Sequence, residues 1–177
     1  MNPEPAPESG PNLGSPQTRP TRGHSQRFLW LGVAAVLAAA DLLIKALVEN
    51  RLADGQIIDF GIINIRLGYN TGVAFGMGDA FPPWVIVVIT GIITAFLAGY
   101  LLHEASAHRP RLYLIGLMVV LGGALGNLVD RADGAGVVDY LHTGWFPTFN
   151  LADVFITLGA ATVAISVLIK SPKKPKP

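Results

Sequence analysis

FNLADVFITLGAATVAISVLIK, residues 149–170, holds one acid and then no further charge until its final lysine. The apolar run from Leu151 to Ile169 approaches the roughly 20 residues that a membrane-spanning helix needs. Asn150 and Asp153 read first as the start of that helix. An asparagine at the N-cap accepts from a free backbone N–H, and a carboxylate three residues on suits the positive end of the helix dipole. A lone carboxylate at the edge of a bilayer-length segment has a second reading, as a working group.

Three more apolar runs precede it, Phe28–Val48, Trp84–Leu102 and Leu112–Val129. Of the 177 residues, 51% are hydrophobic and 14% charged, where soluble domains carry about 25% charge. The fold expected is an all-α membrane protein of four transmembrane helices. A net charge of +1 gives no reason to expect nucleic acid as a partner, and with no cysteine there is no disulfide, thiolate catalysis or thiolate-held metal. Residues 1–27, rich in Pro, Ser and Gly, read as a disordered tail. Residues 28–169 form the membrane domain, and 170–177 a short basic tail. Arg27 with the apolar residues up to Ala38-Ala39-Ala40 imitates a cleavable leader. The apolar pattern continues to Val48, however, and the stretch before it is long and proline-rich, so the first segment is expected to stay as an anchor.

Basic residues give an orientation. Arg19, Arg22 and Arg27 precede the first segment, Arg109 and Arg111 lie between the second and third, and Lys170, Lys173, Lys174 and Lys176 follow the fourth. These nine of the 13 basic residues share one side, which the positive-inside rule makes cytoplasmic. Both termini are then inside, and residues 49–83 and 130–150 form the outer loops. In the first of these, Ile63, Ile65, Leu67 and Tyr69 alternate with Asn64, Arg66, Gly68 and Asn70. That period of two predicts a strand in a small extracytoplasmic sheet resting on the membrane. Trp84 and Trp145 read as interface anchors.

The polar residues of the apolar segments converge on one depth. At 1.5 Å per residue from the cytoplasmic end, Asp41 lies about 20 Å, Asn127 about 24 Å and Lys45 about 26 Å up their helices. Asp130 and Arg131 lie just beyond Asn127, and Asp153 opens the descending fourth helix. Asp41 and Lys45, four apart, can simply neutralise each other, and Asp130-Arg131 can be a helix end among headgroups. Taken together, these residues describe an outer-facing pocket of carboxylates and amides.

That pocket has a restricted chemistry. The serines lie in the tails, the inner loop and the fourth segment, so a serine nucleophile is missing. His142 is the only outer histidine, which argues against a metal centre, and no cofactor is expected. Two carboxylates sharing a proton can activate water and protonate a leaving group. The candidates are Asp139 in GVVDY (136–140) and Asp153 in FNLAD (149–153), joined by a loop whose Gly144 and Pro147 let it fold back.

DLLIK at 41–45, NTGVAFG at 70–76, GGALGNLVDR at 122–131, GVVDY and FNLAD follow, in order, the motifs of lipoprotein signal peptidase, and the chain resembles that family over about residues 28–169. The resemblance implies four helices with a small β-cradle in the bacterial inner membrane. It also implies an aspartic endopeptidase that works at the outer leaflet, as a monomer among lipids. Its substrates would be diacylglyceryl-modified prolipoproteins, cut just before the lipidated cysteine. The family's catalytic pair falls on Asp139 and Asp153, and its supporting residues on Asp41, Lys45, Asn70, Asn127, Arg131 and Asn150. Gly72, in the small-residue NTGVAFG stretch, either makes a turn or lets backbone approach the substrate. Tyr140 stands where the family usually has Phe, Ala135 replaces a usual glycine, and the N-terminal extension is outside the family pattern.

Two other readings stay open. GMGD at 76–79 matches the short GxGD signature of a different intramembrane aspartyl protease family. A small transporter or channel subunit would use Asp41, Lys45 and Asp153 as a proton or ion relay, though a relay needs charges staggered through the membrane.

Overall fold

A computed structural model describes residues 24–71, 82–107 and 109–169. Gly72, the GxGD stretch, residues 1–23 and the whole of the tail 170–177 lie outside them. The elements run α1 (His24–Leu52), β1 (Ile57–Asp59), β2 (Asn64–Asn70), α2 (Pro83–Ser106), α3 (Arg111–Asp133), β3 (Val137–His142) and α4 (Leu151–Leu168). All four helices are long and apolar enough to span a membrane, as expected. A helix satisfies its own backbone polar groups, which hydrocarbon cannot do.

The helices run a few residues past the hydropathy boundaries. α1 continues through Glu49, Asn50 and Arg51, and α3 through Arg131, Ala132 and Asp133. Polar residues at the water boundary end an apolar run without ending the helical hydrogen bonding. Pro83 in the first turn fixes the start of α2, and Gly134, at φ 90°, closes α3.

α3 is the central helix: half of its apolar window is buried within the protein, against 22% or less for the others. Its glycines make that possible. A Cβ on Gly116 would sit 2.8 Å from the Gly159 carbonyl oxygen, and one on Gly123 would overlap the carbonyl of Ala152, so α4 packs backbone to backbone on this face. A Cβ on Gly122 would meet Leu37 of α1 at 2.8 Å. Leu101, Ala105, Leu114, Leu117, Met118, Leu121 and Ala34 form the core where α1, α2 and α3 meet. Val36, Leu43, Ile92, Phe96 and Leu158 point outward, more than half exposed, as lipid-facing side chains do.

At one end of the bundle, where α1 and α3 finish and α4 begins, β1, β2 and β3 form an antiparallel sheet in that order. The predicted strand is present as β2, but its burial does not keep the period of two: the register shifts between Ile65 and Gly68, and Ile63 and Tyr69 are exposed while Asn64 and Asn70 are half-buried. β3 was expected as loop; its VVDYLH sequence is largely buried on both faces and so carries no alternation to detect. At the opposite end the buried carboxylate of Glu104 pairs with Arg109, which also lies over the Tyr113 ring, and the Tyr100 and Tyr113 hydroxyls meet at 3.0 Å. These contacts clasp the α2–α3 hairpin.

Candidate active site

The first turn of α4 is where the elements converge. Its free N–H groups all find side chains: Leu151 donates to the Tyr140 hydroxyl at 3.3 Å, Ala152 to Asp41 Oδ1 at 2.9 Å, and Asp153 to Asn150 Oδ1 at 3.0 Å. Asp153 Oδ2 accepts in return from the Asn150 N–H at 3.2 Å, completing a capping box. The structural reading of Asn150 and Asp153 is thus realised.

It does not exhaust them. Asp153 Oδ1 accepts from Asn127 Nδ2 of α3 at 2.9 Å. Asn127 Oδ1 accepts in turn from Asn150 Nδ2 at 3.2 Å and from Lys45 Nζ at 3.0 Å. Asn150 Nδ2 also donates to Asp139 Oδ1 at 2.7 Å, while Asn70 Nδ2 reaches Asp139 Oδ2 at 3.3 Å. The two carboxylates are therefore tethered to one pair of interlocked amides. Capping uses one acceptor position of Asp153 and leaves the carboxylate, only partly buried, able to act.

Local sequence explains how Asp139 arrives there. Gly68 of β2 faces Asp139 across the ladder and Asn70 faces Val137, so Asn70 is a diagonal neighbour of Asp139 on one face. Gly136, at φ 93°, starts β3 against the end of β2, where a Cβ would lie 2.9 Å from the Asn70 carbonyl oxygen. The left-handed positions of this turn are Gly134 and Gly136, which flank Ala135, so alanine fits between them. After β3 the chain turns back through Gly144, at φ 86°. Phe149 pairs with Leu141, exchanging backbone bonds of 2.8 and 3.0 Å, and this return sets Asn150 beside Asp139.

α1 supplies the charge beneath. Lys45, only 2% exposed, spends its ammonium protons on Asp41 Oδ2 at 2.7 Å, Asp130 Oδ2 at 2.8 Å and Asn127. A Cβ on Gly126 would lie 2.5 Å from Asp41 Oδ2, so this glycine admits the carboxylate between α1 and α3. Arg131 donates to the Asn127 carbonyl at 3.1 Å and lies in the fields of Asp153, Asp139 and Asp130.

Burial pushes the Asp139 carboxyl up to about 6, with the Asp153 charge adding to the effect against the amide donors and Lys45. Tyr140, beside it, is pushed up to about 12, chiefly by burial, and stays neutral. One carboxyl that holds its proton up to about pH 6, sharing an amide cradle with a second, is equipped for acid–base work on water and a leaving group.

The eight described candidates, Asp41, Lys45, Asn70, Asn127, Arg131, Asp139, Asn150 and Asp153, thus gather at one end of the bundle. Asp130, weighed in the sequence as a helix end among headgroups, belongs with them through its contact with Lys45, and so does Gly126, which was not singled out. His142 stands apart, its ring 3.4 Å from the Thr148 hydroxyl.

The model of the signal peptidase (SPase) II family matches residues 33–169. The chain belongs to that family. The lipoprotein signal peptidase of Mesorhizobium japonicum is 40% identical over 158 residues, covering 85% of this chain and 92% of its own. That of Mycobacterium avium is 36% identical over 169 residues, covering 90% and 87%. A bacterial membrane enzyme structure obtained by the in meso method at 2.3 Å resolution aligns with a TM-score of 0.67 at 26% identity, over 82% of this chain and 94% of that one. A second, at 1.9 Å resolution, shares the fold with a TM-score of 0.69, over 85% and 97%. Family membership makes the chain a membrane-spanning peptidase.

Proposed function

We propose that this protein removes signal peptides from diacylglyceryl-modified prolipoproteins, cutting before the lipidated cysteine, with Asp139 and Asp153 as an aspartic dyad. The observation that carries the reading is the joint tethering of both carboxylates by Asn127 and Asn150. Asp139, the more buried, carries the proton in the reactive form, and Asp153 faces it as the proton acceptor. Water held between them gives a proton to Asp153 as its oxygen attacks the scissile carbonyl carbon. Asp139 delivers its proton to the departing nitrogen as the C–N bond breaks. The signal peptide leaves with the new carboxyl group, and the lipidated cysteine keeps the new amine. Asp41, Lys45 and Arg131 support this reading as the fixed charges that hold the amides and the α4 terminus.

The bundle end bearing the sheet is the outer side in this proposal, with both termini cytoplasmic in the bacterial inner membrane and the enzyme acting as a monomer among lipids. A substrate anchored by its own lipid brings its cleavage site to that boundary. In this orientation the site meets that boundary, and the described residues include no large soluble domain for gripping a polypeptide. Relay chemistry is poorly supported: among the described residues, the only buried carboxylate outside this cluster is Glu104, at the far end and paired with Arg109.

Incubating the purified protein with diacylglyceryl-modified and unmodified forms of one precursor tests the proposal. The modified form should be shortened and the unmodified form left intact. Equal cleavage of both would remove the lipid requirement, and cleavage by Asp139→Asn at the parental rate would remove the dyad.

A further inference from the structure

Asp130 takes no part in the chemistry proposed above, yet it touches two of the elements that shape the site. It sits in the last turns of α3, its side chain 8% exposed. The same oxygen, Oδ2, accepts from the backbone N–H of Val138 at 3.1 Å and lies 2.8 Å from Lys45 Nζ. Val138 immediately precedes Asp139 in β3 and is itself buried. Lys45 is the residue that donates to Asn127, and Asn127 holds Asp153.

We infer that Asp130 is a positioning residue for the dyad: its carboxylate fixes the strand next to Asp139 and limits the share of the Lys45 charge that Asp139 and Asp153 feel. Two arms follow from one carboxylate. The first is geometric. Without an acceptor, the buried Val138 N–H loses its partner and β3 is free to shift at the residue beside Asp139, and a misplacement of about 1 Å costs about 10²-fold in rate. The second is electrostatic. The charged groups that face Asp130, Lys45 and the dyad are Asp41 and Glu49 from α1 and Arg131 and Asp133 from α3, with neutral Tyr140 beside Asp139 on β3. Neutralising Asp130 leaves Lys45 acting more strongly on Asp139, which favours its ionised form.

The inference rests on the dyad assignment, and the two fail separately. The test uses the full chain in lipid nanodiscs with a diacylglyceryl-modified precursor, measuring kcat, KM, thermal stability and the pH profile for the parent, Asp130→Asn, Asp130→Ala and Asp139→Asn. Asp130→Asn keeps an oxygen for the Val138 N–H. It should retain most of kcat at its own optimum, with the limb of the profile that Asp139 sets moved to lower pH. Asp130→Ala should show the same displacement and lose about 10²-fold in kcat with little change in KM. A parental profile in Asp130→Asn overturns the inference even if Asp130→Ala fails to fold. So does parental kcat in Asp130→Ala, or a loss in both variants that merely follows thermal stability. Full activity in Asp139→Asn overturns the dyad instead.

Discussion

Asn150 and Asn127 hydrogen-bond to each other, Nδ2 to Oδ1 at 3.2 Å, and each donates to a different carboxylate, Asn150 to Asp139 and Asn127 to Asp153. The bond joins the start of α4 to the last turns of α3 beneath the sheet. Neither amide can turn over without placing a donor against a donor, because Lys45 also points at Asn127 Oδ1 and the Asp153 N–H at Asn150 Oδ1. Their orientation is fixed, and with it the separation of the two acids.

Replacing Asn150 by Asp therefore separates capping from cradling. Aspartate caps a helix about as well as asparagine, so the α4 terminus should hold. The donated bonds to Asp139 and Asn127 are lost, and a third carboxyl group faces Asp139. Cleavage of a lipidated precursor should fall by at least about 10²-fold while the variant still inserts and folds. Asn150→Ala should lose both functions and destabilise by about 2 kcal/mol, since the buried side chain leaves partners unpaired. Thermal unfolding in detergent, set beside turnover, distinguishes the two. Normal activity in Asn150→Asp would reduce this residue to a cap.

Asp139 also gives stability a pH dependence. Its carboxyl is held at about 6 in the native state, where the ordinary value is 3.8. Between those values the native state binds the proton more tightly than the unfolded chain, so stability falls as pH rises through that window. The full effect is on the order of 3 kcal/mol, complete above about pH 6. Asp139→Asn should flatten this part of the stability curve. Thermal unfolding between pH 4 and pH 7 reads it directly, and a parental slope in the variant would place the titrating group elsewhere.

Gly126 and Gly99 make a controlled pair. A Cβ on Gly126 would stand 2.5 Å from Asp41 Oδ2, whereas one on Gly99 meets nothing within 4 Å. Gly126→Ala should push Asp41 off Lys45 or off the Ala152 N–H, destabilising by about 1–3 kcal/mol and lowering cleavage. Gly99→Ala, on a helix, should be neutral or slightly stabilising. Equal behaviour of the two would mean that α1 can shift to make room.

Four apolar runs gave the four helices, because lipid demands a signal of about 20 residues that nothing else in a short chain imitates. β2 was legible from its alternation. β3 was not: burial on both faces erases the alternation, and its strand identity depends on pairing with β2, whose partners lie 67 to 78 residues away. The site was legible as a set of polar residues at one depth, and the motif order sharpened it. What could not be read was the wiring. That Asp41 reaches the Ala152 N–H, 111 residues away, or that Asp130 reaches back to Val138, depends on helix rotation set by Gly123 and Gly126. The hydroxyl of Tyr140, a departure from the usual Phe, proves to meet the Leu151 N–H at the head of α4.

The capping box and the dyad make opposite claims on Asp153, and one set of variants separates them. As a cap alone, Asp153→Asn should cost a few tenths to about 1 kcal/mol, because asparagine keeps an acceptor and loses only the charge–dipole contribution. Turnover would then hardly change. As half of a dyad, the amide can neither accept nor return a proton, and a general acid–base role is worth about 10²–10⁴ in rate. We expect Asp153→Asn and Asp139→Asn each to insert and fold normally yet lose nearly all cleavage of a lipidated precursor. The double variant should be scarcely slower than either single, since two groups that share one proton fail as a unit. Losses that multiply would show independent roles. Asp79→Asn serves as the control: it should remain active, whereas a GxGD protease would lose everything. Near-normal turnover in Asp153→Asn together with a dead Asp79→Asn would transfer the chemistry out of the amide cradle altogether.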